Sequence, residues 1–180
     1  MPVSRVNSLA EADRVWIVGG PGCGKSTLAR ALAEQRGVEP VTLDALFWGP
    51  AWTPVPTAEF LARVERELAA ERWIVDGQFA ESVEAFAHRA DCVVWTDPPL
   101  RVTWPRLLRR TVRRWIRRER LWGGVRETLW SVIGPRSILW YAVKVRDSQR
   151  LANQRLFDKL RGADVLLVHT RDSDVRSLLK

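Results

Sequence analysis

Arg14-Val-Trp-Ile-Val18, Gly19-Gly-Pro-Gly-Cys-Gly-Lys-Ser-Thr27 and Leu28-Ala-Arg-Ala-Leu-Ala-Glu-Gln-Arg36 follow one another without a gap. The first is a short apolar run suited to a strand, the third is rich in helix formers, and Gly37 supplies a stop. Between them, Gly19 to Ser26 satisfies the Walker A spacing Gly-x-x-x-x-Gly-Lys-Ser, in the strand–loop–helix setting that gives the motif its meaning. Glycines allow positive φ and close approach, so that successive backbone N–H groups surround phosphate oxygens at the positive end of a helix. Gly20, Pro21, Gly22, Cys23 and Gly24 are therefore candidate phosphate-loop residues. Lys25 is expected to reach the β and γ phosphates, Ser26 to ligate Mg²⁺, and Thr27 to support the α-phosphate side.

Outward from this loop, strands are predicted at 38–43 ending beside Asp44, at Trp73-Ile-Val-Asp76 before Gly77, at Cys92-Val-Val-Trp-Thr96 before Asp97-Pro-Pro99, and at 164–168. Phe60, Leu61, Val64 and Leu68 recur at helical spacing, so a helix capped by Thr57 is expected to run to about Glu71. Helices are also predicted at 81–90, from Leu100 onward and at 138–160, and a short one after a cap at Ser173 or Asp174. Ala45 to Pro56, with Gly49, Pro50, Pro54 and Pro56 around Trp48 and Trp52, reads as an aromatic loop. Five short apolar strands separated by helical patterns indicate an α/β fold with a parallel sheet covered on both faces.

The 180 residues suit one domain, with 46% hydrophobic and 28% charged residues. No run approaches the ~18 apolar residues of a membrane span, and residues 1–13 lack the apolar stretch of a secretory signal. A soluble cytoplasmic chain without a membrane partner is expected. Cys23 and Cys92 form no C-x-x-C spacing, so both read as thiols. The net charge of +8 is concentrated: Arg101 to Arg126 holds ten Arg, no Lys and one acid, contributing +9 and leaving the rest at −1. Nearly pure arginine suits bidentate contact with phosphate, although a solvated basic face or a nucleic-acid footprint reads from the same residues. On the predicted helix Arg106, Arg110, Arg113 and Arg117 share a stripe roughly 60° wide, opposite Trp104, Leu108, Val112 and Trp115, the expected packing face. Gly123-Gly124 and Gly134-Pro135 suggest a lid-like excursion over about 113–135.

There is no guanine-recognition motif, no transporter signature and no strand ending in paired acids. The phosphate loop, Trp73-Ile-Val-Asp-Gly77 and Val93-Val-Trp-Thr-Asp-Pro98 together resemble the nucleoside and nucleotide kinases of the P-loop class, adenylate kinase especially. Asp44-Ala-Leu-Phe-Trp48, Trp73 to Gly77 and Arg126-Glu127 look more like the adenylate-kinase-related group labelled DNA topology modulation proteins. Gln78-Phe79 stands where adenylate kinases carry Phe-Pro-Arg toward the acceptor.

The resemblance implies a single three-layer α/β/α P-loop NTPase domain with sheet order 2-3-1-4-5, a helical Arg-rich lid and an acceptor-side segment at about 45–72. It implies ATP and Mg²⁺. Arg106 and Arg110 fall nine and thirteen residues after Asp97, at the family's phosphate-contacting offsets. Asp76 would hold a Mg²⁺ water or orient the acceptor, or else simply cap the following segment. His169 and Arg171 would lie by adenine, and Arg126 would belong to the lid. Asp44, beyond the carboxyl end of its strand, reads as an acceptor contact, a general base or an ordinary turn residue. Asp97 before two prolines reads as a structural residue at a helix start. Trp48 and Trp52 read as an acceptor wall or as packing, and Cys23 as an oxidisable thiol or as filler. Lys25, Asp44, Asp76, Arg106 and Arg110 are thus the expected catalytic set, with Ser26 and Asp76 at the metal. The expected activity is ATP-dependent phosphoryl transfer to a nucleoside, nucleotide or other small metabolite. The alternative is an ATP-binding regulatory protein that docks nucleic acid on its arginines.

Overall fold

The structure is a computed structural model that describes residues 6–50, 53–117, 137–172 and 174–179. Its sheet has five parallel strands: β1 (Arg14–Val18), β2 (Val41–Thr42), β3 (Trp73–Asp76), β4 (Cys92–Thr96) and β5 (Leu166–Thr170), in the order β2-β3-β1-β4-β5. That is the topology expected of the kinase-type P-loop fold. The helices are α1 (Lys25–Arg36), α2 (Leu43–Phe47), α3 (Thr57–Glu67), α4 (Ala80–Phe86), α5 (Leu100–Arg117) and α6 (Ile138–Leu160), with 3-10 turns at Ala87–Arg89 and Val175–Leu179.

Strand periodicity divides the core. Trp16 and Val18 of β1, Trp73 and Val75 of β3, and Val93 and Trp95 of β4 point to one face, where Phe60, Val64, Leu68, Leu156 and Leu160 cover them. Val15, Ile17, Ile74, Cys92 and Val94 point to the other, against Leu28, Leu32 and Val175. Trp16 donates its indole N–H to Gly77 O at 3.1 Å and meets Trp73 edge-on, so its polar end is satisfied inside the core. Burial pushes the Cys92 thiol up to about 12. The register sets Ile17 beside Asp76 and Thr42 beside Asp76, so the acid that ends β3 stands next to the end of β1.

Several expected bounds shift. The second strand keeps only Val41–Thr42, and Leu43–Phe47 forms a short helix where a loop was expected. Its residues contain no glycine or proline, the breakers begin at Gly49, and Trp48 N closes the turn on Asp44 O. Thr57 is the first residue of α3 rather than its cap, which is Pro56, and the helix ends at Glu67 with Leu68 buried beyond it. The helix predicted at 81–90 tightens to a 3-10 turn after Phe86. The fifth strand lies two residues later than read, and a 3-10 turn replaces the terminal helix.

The largest correction concerns α5. Thr103, Leu107 and Thr111 are its buried residues, while Trp104 and Trp115, assigned to the packing face, are 40% and 41% exposed. The reason is close approach. A Cβ on Gly22 would lie 2.8 Å from Thr103 O, and Leu107 packs with Leu139 and Ala142 of α6. A surface meeting the phosphate loop at backbone distance favours small side chains over indoles. Of the expected lid, only the end of α5 is described. Trp52, Arg126, Glu127 and Ser173 lie outside the described residues.

Phe60 is 1% exposed and touches Phe47 and Phe79. Phe60→Ala is expected to lower unfolding free energy by about 3–5 kcal/mol, read as a drop in the urea midpoint with an unchanged slope.

Candidate active site

The carboxyl ends of the parallel strands meet along one edge of the sheet, where open α/β folds bind ligands. The β1–α1 turn lies at its centre. Gly19 sits at φ 142°, where a side chain would collide with the backbone of Thr96, and its N–H donates to Gln78 Oε1 at 3.0 Å. Gly22 and Gly24 also take positive φ. The Lys25 ammonium donates to Gly19 O at 2.7 Å and Gly20 O at 2.9 Å, holding it across the loop mouth. Cys23 is buried, with its thiol 2.7 Å from Gly20 O and 3.0 Å from Thr96 Oγ1, so it braces the loop from behind. Gly24 is the N-cap of α1. No side chain caps this end and no acid occupies its first turn, so its dipole stays available to an anion. Ser26 is half-buried and Thr27 exposed at the same end.

Around this loop the fold assembles one group of charges. Asp44, in the first turn of α2, is exposed by surface area, while protein atoms crowd one side of its carboxyl. That desolvation raises its pKa above the usual carboxylate range. Lys25 opposes the rise, Asp76 adds to it, and Arg110 and a hydrogen bond from the Trp48 side chain oppose it. Asp44 therefore senses the charge of three residues singled out from distant parts of the sequence, Lys25, Asp76 and Arg110. Asp76 is 7% exposed at the end of β3. Arg110 is half-buried on α5, whereas Arg106, one turn earlier, is exposed.

His169 and Arg171 belong to a second group, centred on Asp97. Arg150 of α6 donates through Nε at 3.0 Å and Nη2 at 2.7 Å to Asp97 Oδ2, with Arg171 Nε at 3.7 Å and His169 Nε2 at 3.8 Å from the same oxygen. The Asp97 side chain is only 7% exposed. It does not open α5, whose first-turn N–H groups at Val102 and Thr103 reach Pro99 O. It is a hub for cations. His169 stacks flat on Trp95, ring centroids 4.0 Å apart. Its pKa is lowered, first by desolvation, with Asp97 acting in the opposite direction.

Arg150 was not singled out from sequence, nor were its neighbours. Arg146, Gln149, Arg150 and Asn153 line a cavity of about 30 Å³ with Gly20, Pro21, Cys23 and Asp97. The signal was present on α6. Leu139, Ala142, Leu156 and Leu160 form its buried seam, and Asn153 interrupts that seam with a buried amide. Polar residues inserted in an apolar seam mark a surface that packs against something polar, here the phosphate loop.

Among the described residues no cluster of three or more His, Cys, Asp or Glu side chains could hold a metal alone. Mg²⁺ needs no such cage when it rides on phosphates, requiring only one or two hard oxygen donors. The Ser26 hydroxyl and the Asp76 carboxylate are donors of that kind. No described helix is long and apolar enough to cross a membrane.

No protein-family model matches this chain, and no curated protein matches it in sequence. Among solved structures it is similar to a gluconokinase from Sinorhizobium meliloti 1021, with 18% identity, a TM-score of 0.48, and coverage of 88% of this chain and 83% of that one. A likeness this loose carries neither substrate nor mechanism across.

The environment of Asp44 has a signed consequence for stability. Because its folded pKa lies above the unfolded value, the unfolded chain binds fewer protons between the two, so ionising Asp44 costs stability as pH rises. Asp44→Asn is expected to melt at a higher temperature than the parent at pH 7, the gain shrinking as pH falls through the carboxylate range. A melting series against pH reads this directly.

Proposed function

We propose that the chain is an ATP-dependent phosphotransferase of the adenylate-kinase-like type, acting on a small-molecule acceptor. The observation that carries this reading is an uncapped, glycine-lined helix start whose Lys25 acts, with Asp76 and Arg110, on the carboxyl of Asp44. In this reading the backbone N–H groups of Gly20 to Thr27 and the α1 dipole hold the phosphates, and Lys25 leaves its carbonyl partners to follow the transferred group. His169 and Arg171 border the adenine, and Asp97 holds Arg150 in place beside the loop. Ser26 and Asp76 would hold Mg²⁺, which when bound neutralises charge on the phosphate oxygens.

Asp44 then accepts the proton of the acceptor hydroxyl. The hydroxyl oxygen bonds to the γ phosphorus, the bond from that phosphorus to the β–γ bridging oxygen breaks, and ADP leaves. A carboxyl with a raised pKa is a better proton acceptor than an ordinary one. Arg110, with Arg106 approaching from the exposed turn, offsets negative charge on the transferred group. Residues 1–180 act as one catalytic unit in this reading, with acceptor selection in the segment 45–72.

A second reading has one observation behind it. Arg101, Arg106, Arg109, Arg113 and Arg117 are all exposed along α5, a basic strip that suits a nucleic-acid backbone.

Formation of ADP from Mg·ATP, followed by a coupled assay over a panel of hydroxyl compounds, is expected to rise at least tenfold above the water rate with a true acceptor. Lys25→Ala and Arg110→Ala are each expected to lower kcat by about 10²–10³-fold, and Arg106→Ala by less. If oligonucleotides bind with a steep salt dependence that ATP does not alter, and these variants weaken that binding rather than turnover, the regulatory reading replaces the transferase.

A further inference from the structure

The elements that carry candidate site residues differ in charge. Helix α5 holds Arg101, Arg106, Arg109, Arg110, Arg113, Arg114 and Arg117 and no acid, while α2, α3 and α4 carry six carboxylates against two guanidiniums, Arg63 and Arg66. Arg63 is already engaged, donating to Leu46 O at 3.2 Å and to the Glu59 carboxylate. The residues that follow Asp44 on α2 and in the β3–α4 turn include half-buried aromatic rings that pack on the core. Phe47 and Phe79 lie 4.4 Å apart between centroids, Trp48 meets Phe47 edge-on at 4.9 Å, and Phe60 closes the group from below. The polar groups near these rings are the Asp44 carboxyl, to which the Trp48 side chain hydrogen-bonds, and Asp76 beside it.

Resting on the phosphotransferase reading, we propose that the acceptor is an uncharged, hydroxyl-bearing molecule and not a phosphate ester. A phosphomonoester brings close to two negative charges at neutral pH and asks for guanidinium forks on the wall that receives it. Here its phosphate would meet the Asp44 carboxylate among half-buried aromatic rings, with Arg63 committed elsewhere. A neutral alcohol fits each of these features. One hydroxyl donates to Asp44 and loses its proton there on attack, and the carbon skeleton lies on Phe47, Trp48 and Phe79. Aromatic faces that bury an apolar ring or chain beside a carboxylate that accepts its hydroxyl proton are complementary to a sugar, polyol or nucleoside. Lys25 and Arg110 stand close to Asp44 on the nucleotide side, which makes the site unfavourable to an acceptor carrying a cationic amine at the reacting end. Charge thus sorts the substrates: the anionic nucleotide goes to the loop lysine and the arginines, and the neutral alcohol to Asp44.

The test uses the full chain with Mg·ATP and matched pairs that differ by one phosphate: adenosine and AMP, ribose and ribose 5-phosphate, glycerol and glycerol 3-phosphate, inositol and inositol 1-phosphate. ADP release gives kcat/KM for each, and calorimetry with a non-hydrolysable ATP analogue monitors nucleotide binding separately. The expected result is at least one unphosphorylated member stimulating ADP release tenfold or more, with its phosphorylated partner at least a hundredfold poorer in kcat/KM. If a phosphorylated member outperforms its parent, the acceptor class is wrong while the phosphotransferase reading stands. If nucleotide binds but no pair raises ADP release above the water rate, the transferase reading itself fails and the acceptor inference falls with it.

Discussion

The β1–α1 turn leaves no room for a side chain at Gly19. With the backbone at φ 142° and Thr96 pressed against it, the chain must pass from strand to helix through a space that only hydrogen atoms can fill. Much of the site is arranged around that restriction. Gln78 fixes the first N–H of the turn, Lys25 spans its carbonyls, Cys23 supports it from beneath, and α5 approaches Gly22 through the backbone of Thr103 and the Cβ of Leu107. Parallel pairing of β1 with both β3 and β4 then fixes where the acids at the ends of those strands stand relative to the turn.

Two acids end up with different work for physical reasons. Asp97 is almost enclosed, and its charge organises the guanidiniums of Arg150 and Arg171, with the His169 ring alongside. Asp44 keeps an open edge, faces a mixture of charges, and has a raised pKa, which leaves it able to exchange a proton with something in the cleft. The assignment follows from which charges surround each carboxyl, and the residue type alone does not distinguish them.

The phosphate loop and the central strands were legible in sequence because both depend on local pattern, whereas the order of strands in the sheet came from the resemblance to P-loop kinases. Gly19 to Ser26 has fixed spacing, and the apolar runs of β1, β3 and β4 are short, complete and bounded by turn residues. The cluster of Lys25, Asp44, Asp76 and Arg110 was legible as a set of candidates, because each sits at the end of a strand, in the loop or on the arginine stripe. What stayed hidden depended on distance between elements. The packing face of α5 looked apolar and proved to be threonine and leucine, because the neighbour was backbone rather than a side-chain layer. Arg150 gave no local sign of pairing with Asp97, 53 residues away, and the turn of helix at Leu43–Phe47 was masked by the prolines that follow it.

The placement of the two thiols gives the chain a chemical property of its own. Cys92 lies within the sheet, and its deprotonation is postponed to strongly alkaline solution, so at neutral pH it is inert toward alkylating and oxidising reagents. Cys23 is shut behind the loop by the same contacts that shape it. A maleimide or disulfide reagent meeting the folded chain thus finds no ready sulfur, and any modification that does occur at neutral pH reports how often the phosphate loop lifts away from Thr96.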